Sequence, residues 1–222
     1  MAKNKLRKFA ENDGFWNLIQ PTREEVQKGI PLRGKWGREF FKNDHPIILE
    51  LGCGKGDYTI GLAKRNPENN YIGIDLKGAR LHTGAKEGVE SDLRNVGFIR
   101  TQIELLENLF APGEISEIWI TFPDPQIKYR RMKHRLTSPN FLDMYQRIVK
   151  PGGVVHLKCD SEFLHGYTHG IVQLRGHEVL EAYHDIYHQF KTRDHILFEI
   201  KTFYEQMWLA QGKAITYLKF KL

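Results

Sequence analysis

"ILELGCGKGDYT", residues 48–59, decides the fold. A short apolar run passes straight into glycines at 52, 54 and 56, the signature of a strand that ends in a tight turn before a helix. A dinucleotide fingerprint would place its third glycine at 57, where Asp57 stands, and a Walker loop would need Lys followed by Ser or Thr. Neither phosphate-binding motif is present. Glu50, two residues before the first glycine, agrees with that exclusion: an acid at a strand end repels pyrophosphate and suits a cationic ligand.

Around this loop, apolar runs at residues 47–51, 71–75, 96–100, 115–122 and 154–159 predict strands. Helical patterns at 58–65, 78–90, 103–109 and 139–149 lie between them. Strands separated by helices argue for a parallel sheet with right-handed crossovers, whose ligands gather beyond the carboxyl ends of the strands. The last third continues with a helix at 161–175, an extended stretch at 179–187, a helix at 203–210 and a final strand at 214–222. Those last two extended segments can pair antiparallel.

The chain has 222 residues, enough for one full core, and 33 Lys plus Arg against 27 Asp plus Glu, a net charge of +6. That excess suits a polyanionic partner. The two cysteines, Cys53 and Cys159, lie far apart in apolar surroundings, which predicts small core residues in place of a disulfide framework or a zinc site. The N-terminus is basic, with Lys3, Lys5, Arg7 and Lys8, but lacks a signal peptide's apolar stretch, and no run reaches membrane-spanning length. A soluble, cytoplasmic protein is expected. Residues 1–45 read as a basic extension and 46–222 as a single domain. In the extension, "RGKWGREFF", residues 33–41, supports two readings: a flexible tail followed by a helix that packs Trp36 and Phe40, or an RNA contact that interleaves bases with aromatics.

"FPDPQIKYRRMKHRL", residues 122–136, follows the fourth strand candidate. It fixes Asp124 between two prolines and then presents Lys128, Arg130, Arg131, Lys133, His134 and Arg135, with no further acid until Asp143. A solvated helix would interleave acids with these bases, so the imbalance calls for a partner.

The glycine loop with Glu50 resembles the first motif of the class I S-adenosylmethionine-dependent methyltransferases: an acid, any residue, then Gly-x-Gly-x-Gly. The resemblance implies an α/β Rossmann-like fold, a mostly parallel seven-stranded sheet with an antiparallel last strand and helices on both faces. It implies that Gly52 and Gly54 let the backbone approach the cofactor and that Glu50 serves its methionine end. Asp75, 19 residues after Gly56, matches the acid that accepts from both ribose hydroxyls. Gln102 is the nearest residue to the position that meets the adenine.

The Asn-Pro-Pro-aromatic motif of amino-group methyltransferases is replaced here by Pro123-Asp124-Pro125, and the nucleophilic cysteine of C5-cytosine enzymes is not there. The stretch 122–136 instead resembles the signature of the bacterial tRNA (guanine-N7)-methyltransferases, Pro-Asp-Pro-x-x-Lys-x-Arg followed by bases. That likeness extends over residues 46–222 and includes "HLKCDSE" with Asp160 and "KTFYEQ" with Thr202 and Glu205. Arg131 and His134 depart from the family's usual His and Arg, which changes the expected tRNA contacts but not the chemistry. The resemblance implies S-adenosylmethionine as cofactor, tRNA as partner without an obligate protein partner, and the guanine at position 46 of the variable loop as target. By it Glu50, Asp75, Gln102 and Asp124 face the cofactor, Lys128, Asp160, Thr202 and Glu205 face the guanosine, and Arg130, Arg131, Lys133 and Arg135 meet the RNA backbone.

Guanine N7 carries an in-plane lone pair, so its methylation needs no base. Asp124 is then expected to orient the acceptor and to favour the positive charge that develops, in a direct in-line transfer without metal or covalent intermediate. Plainer readings stand beside these roles: Asp160 as a helix N-cap, and Thr202 with Glu205 as a capping box. His165 and His169, and His184 and His188, are four apart, but without an acid or Cys at ligand spacing they predict no metal site. Two rival functions remain, a small-molecule methyltransferase, which has no use for the basic run, and a non-catalytic tRNA-binding protein, which has none for the acids.

Overall fold

The computed structural model describes residues 2–192 and 195–222, with side chains from Arg7 onward; the side chains of Lys3 and Lys5 lie outside the described residues. Among the described residues, the strands are β1 (Leu18–Ile19), β2 (Ile47–Leu51), β3 (Asn70–Asp75), β4 (Val96–Arg100), β5 (Ile115–Thr121), β6 (Val149–Cys159), β7 (Val179–Tyr183) and β8 (Thr216–Lys221). They form one sheet in the order β1-β4-β3-β2-β5-β6-β8-β7. Strands β1 to β6 pair in parallel, and β8 runs antiparallel to both β6 and β7. The seven expected strands are all present. The eighth, β1, pairs Leu18 and Ile19 with Phe98 and Ile99, and two residues are too few to leave an alternation signal.

The helices are α1 (Ala2–Asn12), α2 (Arg23–Gln27), α3 (Asp57–Arg65), α4 (Gly78–Glu90), α5 (Leu106–Leu109), α6 (Pro139–Ile148), α7 (Glu162–Leu174), α8 (Ile186–Gln189), α9 (Ile196–Glu199) and α10 (Phe203–Ala210). Strand β2 is buried along its whole length because both sheet faces are covered. Leu49, Leu51, Ile72, Ile74, Ile118 and Ile120 join one core, while Ile48, Tyr71, Phe98 and Trp119 join the other. The period-2 alternation of each strand divides its residues between these two cores.

Two expected elements change shape. The stretch expected as one helix at 103–109 begins as a 3-10 turn, Ile103–Leu105, before α5. The extended segment expected to reach residue 187 stops at Tyr183, because the Asp185 carboxylate accepts the Tyr187 N–H at 2.9 Å and starts α8. In the N-terminal segment, a π-helical turn at Trp36–Phe41 buries Trp36, whose indole N–H donates to Leu109 O at 2.9 Å. Helix α1 lies against α4, where Asn12 donates to Gly78 O at 3.1 Å.

From β2 the chain runs outward through β3 and β4, then returns to place β5 on the other side of β2. Such a reversal opens a crevice at the strands' carboxyl ends. Glu50 is buried beneath it. Its Oε2 accepts the Thr59 N–H at 2.7 Å and the Thr59 hydroxyl, and its Oε1 accepts the Thr121 hydroxyl at 2.8 Å. One buried carboxyl therefore ties the start of α3 to the end of β5. Burial outweighs these bonds and pushes the Glu50 carboxyl up to about 7.

The folded protein thus holds this proton up to pH about 7, whereas a free carboxyl releases it near 4.5. Between those values the folded state binds more protons, so Glu50's contribution to stability falls as pH rises. Replacing Glu50→Gln is expected to flatten that part of the profile, with a difference on the order of 3 kcal/mol between pH 4 and 8. Urea denaturation of both proteins across this range measures it; equal slopes would refute the assignment.

Candidate active site

The glycine loop is a floor. Gly52 and Gly54 have φ of 74° and 59°, and a Cβ at either would meet nothing within 4 Å. They suit the left-handed backbone and leave the space above them open. Gly56, at φ 83°, is needed for a different reason, since its Cβ would lie 2.7 Å from the Phe98 ring.

Two openings meet at Gly52. The smaller, about 280 Å³, is lined by Asp75, Gln102 and the side of the basic run at His134 and Leu136. Asp75 ends β3, and its carboxylate accepts Gly54 N–H at 3.1 Å and Lys77 N–H at 2.7 Å, which fixes it against the loop. Gln102 points its carbonyl oxygen at Arg23 of α2, 2.6 Å away, so the N-terminal segment reaches this opening.

The larger opening, about 670 Å³, is bounded by Gly52 and Gly54 below, by residues 121–125 on one side and by Thr202, Phe203 and Tyr204 on another, with Asp160 at the end of β6. Asp124 is exposed, and its Oδ1 accepts the Gln126 N–H at 3.0 Å. Phe122 and Gln126, which bracket the Pro-Asp-Pro motif, both adopt φ of 47°. A bulky aromatic in that region stores strain, and such strain gathers at functional sites.

Asp160 does not cap a helix. Ser161 takes that place, its hydroxyl accepting Leu164 N–H at 3.2 Å, and Asp160 is left in the cleft with Lys213 Nζ 3.7 Å away. Thr202 is the N-cap of α10 and accepts Glu205 N–H at 3.1 Å.

Three expected site residues turn inward. Glu50 lines neither opening. Glu205 is fully buried, and its carboxylate, which would have returned to close a capping box at Thr202, is paired with the equally buried Lys158 at 2.7 Å. Arg135, expected on the RNA-facing side, is only 5% exposed. Its guanidinium donates to the carbonyls of Gln126 and Ile127 at 3.1–3.3 Å and lies over the rings of Phe163 and Tyr167. The rest of the run, Lys128, Arg130, Arg131 and Lys133, is exposed, with Arg131 donating to the Gln126 side chain at 3.1 Å.

Phe203 and Tyr204 carried no weight in the sequence, yet they stand 59% and 41% exposed in the cleft wall. Adjacent aromatics just after an N-cap were their only signal. Both cysteines are buried. His165 is buried 5.0 Å from His184 and 6.3 Å from His169, ring centre to ring centre, but among the described residues no group of three or more His, Cys, Asp or Glu could hold a metal ion. No helix among them is long and apolar enough to cross a membrane.

A family model described as a putative methyltransferase matches residues 44–218. Among solved structures, one titled an antibiotic related methyltransferase aligns with 89% of this chain and 98% of its own at a TM-score of 0.63, and at 17% identity that likeness concerns the fold alone. A tRNA (guanine-N(7)-)-methyltransferase of Christiangramia forsetii is 58% identical over 100% of this chain and 99% of its own length. One of Porphyromonas gingivalis is 52% identical over 90% of this chain and 80% of its own. With identity this high over the whole chain, the chain belongs to the tRNA (guanine-N7)-methyltransferase family.

Proposed function

We propose that this protein methylates N7 of guanine in tRNA, at position 46 of the variable loop, by direct in-line transfer. The observation that carries the reading is the meeting of Asp124 and Asp160 in one cleft above Gly52 and Gly54, beside an exposed row of bases. S-adenosylmethionine supplies a methyl group already activated by a sulfonium. The chain's residues supply everything else. Asp75 would accept from the ribose hydroxyls, and Gln102, whose carbonyl oxygen Arg23 holds, would offer its amide NH2 to the adenine edge. The open space over Gly52 and Gly54 admits the methionine end, while Glu50 holds the floor in place from beneath.

Guanine N7 attacks with a lone pair it already has, so no residue need take a proton. What remains is alignment and charge. Asp124, held between prolines, orients the acceptor and favours the cationic ring that forms. Asp160 accepts from the guanine N1 and N2 edge, Thr202 adds a hydroxyl at the wall, and Lys128 donates to O6 or a neighbouring phosphate. Arg130, Arg131 and Lys133 track the RNA backbone, with Arg135 shaping their loop from inside. Residues 46–222 carry the chemistry, and residues 1–45 add Arg7 and Lys8 to the positive surface. A tRNA substrate places the reaction in the cytoplasm, and nothing in it requires a protein partner.

Incubation with S-adenosylmethionine and an unmodified tRNA transcript is expected to yield 7-methylguanosine, and the same transcript with adenine at position 46 to yield none. Product from both would remove the site assignment; product from neither would remove the reaction. Asp160→Ala is expected to lower kcat/KM on the order of 100-fold, and an effect below threefold would take Asp160 out of the acceptor site. Salt gives a separate check. The pair Arg130→Ala and Lys133→Ala is expected to reduce the slope of log K against log salt by about 2, read by filter binding, whereas an unchanged slope would place the RNA elsewhere.

A further inference from the structure

Lys158 is the most deeply buried cation among the described residues, with no exposure, and no step of the reaction above uses it. Its ammonium donates to Tyr58 of α3 at 2.7 Å, to the Leu197 carbonyl of α9 at 2.6 Å and to Glu205 of α10 at 2.8 Å. Tyr187 of α8 donates to the same carboxylate at 2.8 Å. Lys158's own carbonyl accepts the Phe122 N–H at 2.8 Å, at the entry to the Pro-Asp-Pro motif. One residue thus joins the helix after the glycine loop, both neighbouring strand ends and the segment that carries the acceptor wall.

A second link runs beside it. Asp57, which stands where a dinucleotide fingerprint has glycine, shares the larger opening with Phe203, the first residue of α10, and burial pushes its carboxyl up against the opposing pull of the Phe203 backbone N–H. Lys55 Nζ lies 5.3 Å above the centre of the Phe203 ring. Residues 55, 57 and 58 of the cofactor floor therefore each reach toward the start of α10, directly or through Lys158.

A buried ion pair is a poor source of stability, because apolar residues of like size serve as well or better. What it provides is registry. An ammonium with its donors fully used and a carboxylate between two donors accept one placement of α10, and any shift leaves a buried charge unpaired. We propose that Lys158, Glu205 and Asp57 are positioning residues that lock the acceptor wall to the cofactor floor, so that cofactor and tRNA strengthen each other's binding. The proposal rests on the functional reading given above. Because the coupling is a binding free energy it is reciprocal: whichever ligand enters first holds the locked placement, and the other then binds without the cost of ordering it.

The test measures the affinity of S-adenosylhomocysteine, which cannot react, by equilibrium dialysis with and without saturating tRNA transcript. In the natural protein tRNA is expected to tighten it by roughly tenfold. The double replacement Lys158→Met and Glu205→Leu, which removes both charges together, is expected to bring that ratio within twofold of one. Asp57→Ala, which disturbs no buried charge and serves should the double variant not fold, is expected to cut the ratio at least threefold. A ratio near one in the natural protein overturns the proposal, as does an undiminished ratio in either variant. Filter retention of the transcript alone separates the two levels: tRNA that binds without coupling sinks only the lock, and tRNA that does not bind sinks the functional reading with it.

Discussion

The cleft depends on one buried carboxyl. Glu50 stands where the strand order reverses, and the two loops that shape the cleft leave the sheet on either side of it. A parallel sheet makes that crevice by topology alone, but topology does not fix how the loops face each other. Glu50 does so by accepting from Thr59, just after the glycine floor, and from Thr121, just before the Pro-Asp-Pro motif. Threonine suits both positions, since its hydroxyl can donate whichever way the acid titrates, and accept from it when protonated. The sequence motif marks this acid as cofactor-facing. Its side chain instead points into the core shared by Ile48 and Tyr58, as the alternation along β2 requires.

The central strands β2 to β5 were legible because both sheet faces are covered there, so that each reads as a largely apolar run of the right length. The glycine loop, Asp75 at the end of β3 and Asp124 just beyond β5 were legible because topology sends the carboxyl end of every parallel strand to the same rim. Helix α1 and strand β1 were not: α1 has few apolar residues and was read as part of a basic extension, and a two-residue strand leaves no periodic trace. Spacing also fails for charged side chains. It places Arg135 and Glu205 in the correct segments but cannot say which way they turn. In "VVHLKC" the lysine's apolar neighbours were the available hint that Lys158 is buried, and a buried lysine asks for a partner such as Glu205.

The basic run is therefore two structures in one. Its exposed members extend the positive surface, and Arg135 works from beneath. With its guanidinium over two aromatic rings and donating to the Gln126 and Ile127 carbonyls, Arg135 holds the backbone just after the motif. That hold offsets the strain of left-handed φ at Phe122 and Gln126, and between those two residues Asp124 is carried out into the cleft. Lysine at 135 could not replace it, because a single ammonium lacks the planar fork that reaches two carbonyls while lying over rings.

A protein of net charge +6 that gathers carboxylates in its cleft separates two tasks by sign. Positive surface attracts any polyanion and carries no base information. Discrimination must come from groups that read an edge, and a carboxylate reads donors only. Guanine offers N1–H and the N2 amino group there, while adenine presents a bare N1 acceptor, whose lone pair, in the function proposed above, would face an oxygen of Asp160. In water that mismatch is weak. In a cleft walled by Phe203 and Tyr204 and floored by backbone, the unpaired acid is poorly solvated and the mismatch counts for more. In the function proposed above, the same carboxylates would also serve catalysis, since the guanine edge becomes more acidic as positive charge spreads through the ring, and each accepted hydrogen bond would tighten toward the transition state.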